Sequence, residues 1–196
     1  MIEFPILINA RTIISILLVG VIFYLQTKNK SLDKRHLQKI VLTSFAGILA
    51  LIGLEAHLLY SNWSEGSITQ FLLPPHEPIS YFLGRFLRFS FWPWIAAAFG
   101  GAVIAWLSHK LNAKFDERFF EEEEIPLFAL GAFLSGYPGI LLYAVTILLL
   151  ELFLTIIYSI AGWGRAPMYY LWLPSALFVI IVVYLLPSHI IGLFSF

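Results

Sequence analysis

Long apolar runs, each closed by a short polar stretch, dominate the pattern along this chain. The first, Ile6 to Leu25, carries Asn9 and Arg11 near its start and stops at QTKNKSLDKRHLQK. About 20 helical residues cover a hydrocarbon core about 30 Å thick, so this run predicts a membrane span. A second span is predicted over Ile40 to Tyr60, with Glu55 and His57 toward its far end. The stretch SNWSEGSITQFLLPPHEPIS is rich in Ser, Pro and polar residues and predicts a loop. In YFLGRFLRF, Arg85 and Arg88 stand three apart among aromatics. That spacing predicts an interfacial helix turning into a third span, SFWPWIAAAFGGAVIAWLSHK. After a charged loop from Lys110 to Glu124 comes the short run Ile125 to Leu134. Ten residues rise about 15 Å, half of a hydrocarbon core, so a half-span is expected, broken by Gly136, Pro138 and Gly139. A full span follows over Ile140 to Ile160, interrupted by Glu151, and a last one runs from Leu171 at least to Leu186, where Pro187 kinks or ends it.

This pattern predicts an all-α membrane protein with about six transmembrane segments, including the half-span 125–134, in one polytopic domain over 1–196. Composition agrees: 60% of residues are hydrophobic, 12% are charged and mean hydropathy is +0.85, which makes lipid the expected solvent. A net charge of zero argues against a nucleic-acid partner, because a phosphate-binding face needs an excess of Lys and Arg. With no cysteine, disulfides, cysteine-ligated zinc and thioether-linked haem are excluded. The apolar start has no basic n-region and no small-residue cleavage site, so it reads as a retained first span.

Charge also sets an orientation. Lys28, Lys30, Lys34, Arg35 and Lys39 fall in loop one, Lys110, Lys114 and Arg118 in loop three, and Arg165 in loop five. These nine of the twelve Lys and Arg place the odd-numbered loops in the cytoplasm and both termini outside. Merging the half-span into its neighbour gives five segments and moves Arg165 outside, a poorer fit to the same rule.

The end of segment one and the start of the half-span meet the cytoplasmic boundary at one depth, so polar positions from both converge there. Paired carboxylates at the rim of an apolar bundle suit aspartyl hydrolysis, since low dielectric and mutual repulsion make two acids share one proton. Three stretches, FGGAVIAWLSHKL, EEEEIPLFALGAFLSGYPG and GRAPMYYLWLPSALFVII, resemble in order the corresponding pieces of the type IV prepilin peptidases, intramembrane aspartyl enzymes that clip the leader of pilin precursors. The resemblance covers about Ala96 to Leu186. It implies a prokaryotic inner-membrane protein, of the type IV pilus pathway, acting on a pilin-like precursor at the cytoplasmic face, as an aspartic endopeptidase if active. Counting back from ALGAFLSG, the motif aspartate of that family falls on Glu123, glutamates replace both motif glycines, and the motif lysine falls on Ile125. The family's other aspartate falls near Leu25 or Gln26, and the next acid is Asp33. The catalytic candidates are therefore Glu123 and Asp33.

Other readings stay open beside this one. The glutamate run also suits a solvated loop, a cation or partner site, or a helix start, where acids favour the positive N-terminal end and Pro126 fits a first turn. Glu55 and His57 are two apart and point about 200 degrees from one another on a helix, so they form no ligand pair. Both suit an interfacial position where side chains snorkel to water. No metal and no cofactor are expected. Glu151, about halfway along its span, is expected to face the bundle interior, hydrogen-bonded to Thr146, Thr155 or a Tyr, as a functional intramembrane carboxylate or as a structural one. Two further functions follow: a non-catalytic binding or assembly protein for pilin-like or other helical membrane partners, and a carrier built on Glu151 with Glu55 as its second carboxylate. Membrane lipid is an expected partner in each. The aromatics in FRFSFWPW and PMYYLW read as interfacial anchors.

Overall fold

The computed structural model describes residues 4–29, 34–115, 120–121, 123–163 and 168–186. All regular structure among them is helical: α1 (Phe4–Asn29), α2 (Lys34–Glu65), a 3₁₀ turn (Thr69–Leu72), α3 (Ile79–Phe86), a π turn (Leu87–Phe91), α4 (Trp92–Lys114), α5 (Glu124–Ser135), α6 (Gly139–Ala161) and α7 (Trp172–Leu185). Four helical stretches are long and apolar enough to cross a membrane: Arg11–Lys28, Arg35–Glu65, Ile79–Lys114 and Gly139–Ala161. Glu124–Ser135 and Trp172–Leu185 are apolar but shorter.

The stretch from Ile79 to Lys114 supplies a ruler. Between Arg88 and Lys110 it carries no Asp, Glu, Lys or Arg, and these 21 residues of helix rise about 32 Å, the thickness of a hydrocarbon core. Lys28 ends α1 at the same side as Lys110, while Arg11 reaches Ser90 at the other. We call these the lysine end and the arginine end.

The short run expected as a half-span is α5, and it occupies the centre. It packs against α4, α7, α6, α2 and α1. Nine of its twelve residues are buried, as an element apolar on every face requires. Close approach depends on missing side chains: a Cβ at Gly101 would lie 3.0 Å from the Ala129 carbonyl oxygen, and one at Gly131 would lie 2.5 Å from the Tyr143 hydroxyl. Gly136 ends α5 with φ of 62°, a backbone that side chains disfavour, and α6 starts three residues later. Ile140 lies beside Gly100, Tyr143 beside Phe128, and the Tyr143 hydroxyl donates to the Trp172 carbonyl at 3.1 Å. Hence α6 runs antiparallel to α5, back toward the lysine end.

Two sequence expectations change. The predicted loop after Tyr60 starts later, because α2 continues to Glu65. The predicted interfacial helix and third span form one helical run joined by the π turn. That turn has a tertiary partner: Ser90, within it, donates its hydroxyl to Glu55 Oε1 at 3.0 Å and accepts from Arg11 Nη1 at its carbonyl at 3.1 Å. Arg11 and Glu55 form an ion pair, so α1, α2 and the π turn are tied at the arginine end.

Candidate functional site

At the lysine end, the entrance to α5 is built from backbone and side-chain contacts that order the acidic loop. Asn112, near the end of α4, clamps Phe120 from both sides: its Nδ2 donates to the Phe120 carbonyl at 2.5 Å, and its Oδ1 accepts from the Phe120 N–H at 2.9 Å. The ring of Phe120 is thereby set against Phe128 and Trp172, with centroids 6.3 and 6.0 Å away. One turn on, Glu124 Oε2 accepts from the Glu121 N–H at 2.9 Å, while the Glu124 N–H donates to the Glu121 carbonyl. Glu124 is the first residue of α5, so this pair of bonds closes the turn Glu121–Glu124 that leads into the helix. Glu124 is only 2% exposed, so the buried acid of the run serves the helix start.

The candidates from sequence separate here. Glu123 immediately precedes α5, partly exposed, and caps no N–H with its side chain. Asp33 lies outside the described residues. Of Leu25 and Gln26, the two positions near which the resemblance sets its first acid, Gln26 is fully buried and its Nε2 donates to the Tyr169 carbonyl at 2.6 Å. Gln26 Oε1 and Trp172 Nε1 are both buried without a hydrogen-bond partner among the described residues. Sequence reasoning missed Asn112, Tyr169 and Trp172. Only Asn112, an amide next to the charged loop, carried any local signal.

Glu55 does not snorkel. It is 7% exposed and bound by Arg11 and Ser90, because a carboxylate enclosed by three helices needs a counter-charge and a donor. Glu151 is partly buried on the α6 face that continues Tyr143 and Ile147, and it has no hydrogen bond or ion pair among the described residues; the bonds expected to Thr146, Thr155 or a Tyr are not formed among them. Since α6 starts beside Gly100 and runs to the lysine end, Glu55 and Glu151 lie toward opposite ends of the bundle. Among the described residues no group of three His, Asp or Glu is placed to hold a metal ion.

A cavity of about 540 Å³ opens between α2 and α4, with α5 as its floor. Its walls are almost wholly apolar. Val41, Leu42 and Phe45 line one side, Ala98, Gly101, Ala102 and Ala105 the other, and Ala129 and Phe133 the floor. Gln38 and His109 stand at the lysine end. From His109 to Ala98 the groove follows eleven residue steps of helix, about 16 Å, reaching the middle of the 32 Å apolar stretch. The α4 wall is a row of small residues at spacings of three and four, which lets another backbone come close.

The chain matches no family model, no curated protein and no solved structure. The class the fold defines is an all-helical protein with several helices fit to cross a membrane.

Proposed function

We propose that this protein is a non-catalytic membrane binding protein, laid out as in the prepilin peptidases, which holds an apolar helix of a partner protein in the groove between α2 and α4. The observation that carries this reading is the groove itself, apolar and open between α2 and α4, with small residues along the wall a helix would touch. A pilin-like subunit with an apolar N-terminal helix has the required chemistry. In this reading the six segments cross or enter a prokaryotic inner membrane, with odd-numbered loops in the cytoplasm and the groove mouth, marked by Gln38 and His109, on that side.

Binding is favoured over leader cleavage by the fate of the two acid positions. Near the first stands an amide, Gln26, fixed on a backbone carbonyl, and beside the second, Glu123, the buried glutamate is Glu124, whose carboxylate is taken up by the Glu121 N–H. Leader peptidase activity through Glu123 and Asp33 remains the second reading, because Glu123 sits at the entrance of α5 where the resembling family keeps an acid. A carrier using Glu151 loses support from the distance between that residue and Glu55.

One experiment separates the first two. The full chain, carrying a photoreactive residue at Leu42 or Ala102, is co-expressed in membranes with a panel of pilin-like precursors. Binding predicts a crosslinked precursor with its leader intact, and crosslinking reduced when Ala102→Phe fills the groove. Cleavage that disappears in both Glu123→Gln and Asp33→Asn would replace this reading with the peptidase. Equal crosslinking from Leu149, on the bare side of α6, would remove the groove from the reading.

A further inference from the structure

Arg85 and Arg88 are two cations that neither the bundle nor the groove employs. Both are exposed, and among the described residues neither forms an ion pair, although Glu65 and Glu77 lie in the nearby polar segment. Each guanidinium is instead held on aromatic faces. Arg85 lies 5.8 Å from the Trp63 ring centroid and 5.7 Å from that of Phe89, and Arg88 lies 5.8 Å from the same Phe89. Trp63 is in turn packed edge-on against Phe82, so the platform is fixed from beneath. A guanidinium over a ring face keeps the N–H donors at its edge available for an oxyanion.

Depth identifies the oxyanion. Arg88 closes the uncharged 32 Å stretch, and Arg85 is about 4.5 Å further out, one turn along the helix. These are the depths where hydrocarbon gives way to headgroups. On the hydrocarbon side of the pair, Phe89 and Trp92 are exposed large apolar side chains, at the depth of acyl chains. Two unpaired cations above such a surface match a lipid phosphate and its chains at once.

We infer that Arg85 and Arg88, held over the rings of Trp63 and Phe89, form a binding site for the phosphate of an anionic phospholipid at the arginine end of the bundle. Zwitterionic lipids present the same phosphate, but their ammonium opposes the pair, so anionic headgroups bind more tightly. The site is independent of the groove and of the function proposed for it.

The test is native mass spectrometry of the full-length protein in neutral detergent, titrated with phosphatidylglycerol or phosphatidylcholine of matched chains. Two interfacial arginines are expected to favour phosphatidylglycerol by about tenfold. Arg85→Gln/Arg88→Gln should bring that preference to within about twofold, and Lys110→Gln, at the other boundary, should leave it unchanged. Phe89→Leu removes the shared ring without altering charge and should weaken retention by about threefold, which keeps the test open if the double variant does not fold. Inorganic phosphate at millimolar concentration should displace none of the lipid. The inference is overturned if the glutamine pair retains phosphatidylglycerol as the wild type does, if Lys110→Gln is equally effective, if Phe89→Leu binds normally, or if free phosphate competes.

Discussion

The short helix α5 and the long helix α6 are both strongly apolar, yet they meet opposite surroundings. α5 buries nine of twelve residues, whereas α6 buries four of 23, Gly139, Ile140, Tyr143 and Ile147, all in its first nine positions. Beyond them Leu148, Leu149, Leu152 and Phe153 are exposed. In water such a face would drive association, but lipid tails are as apolar as leucine and leave it without penalty. Burial in this protein therefore follows the spaces between backbones and not hydropathy. Glycines at the contacts of α4 and α5, together with the hairpin at Gly136, make α5 the core.

The two carboxylates of the long helices repeat this contrast and give its largest test. Glu55→Ala would strand the Arg11 guanidinium among three helices and should cost about 3–5 kcal/mol, whereas Glu151→Ala should change stability by less than about 0.5 kcal/mol. Unfolding of both variants by steric trapping in bicelles measures the gap, and equal losses would erase the distinction. Removing leucine side chains comes next. Leu130→Ala on α5 should cost about 1–3 kcal/mol through the void it leaves, with little transfer contribution because the reference solvent is lipid, and Leu149→Ala on α6 should lie within about 0.5 kcal/mol of wild type. The smallest effect sharpens where α6 stops being core: Tyr143→Phe loses the bond to the Trp172 carbonyl and should cost about 0.5–1.5 kcal/mol, seen as a lowered melting temperature in detergent.

Much of this fold was legible in the pattern of apolar runs. The ten-residue run before Gly136 announces α5 within a residue at either end, because a helix too short to cross must turn and a glycine permits the turn. The wider arrangement was less accessible. Arg11 and Glu55 are 44 residues apart, and only their shared position at the outer ends of segments one and two hinted that they meet. The π turn has no local signature at all, since it depends on what Ser90 contacts across the bundle. In the candidate site, the acidic entrance to α5 was visible from sequence, but the choice of Glu124 as the buried acid was not. Four adjacent glutamates look alike until the Asn112 clamp sets the direction of the loop. The groove was invisible because it is a space between helices, and hydropathy describes only the helices.

The π turn at Leu87–Phe91 has a consequence for how this helix tolerates change. Removing a single residue there would let the hydrogen-bond ladder close as ordinary α-helix, with hydropathy and span length almost unaltered. It would also rotate everything before the deletion by about 100° relative to Trp94 and the α5 contact. Ser90 would leave Arg11 and Glu55, and Arg85 would leave the ring of Trp63. The segment thus behaves as a phase-keeping insertion: a single-codon deletion here should be far more damaging than most substitutions in the span it precedes.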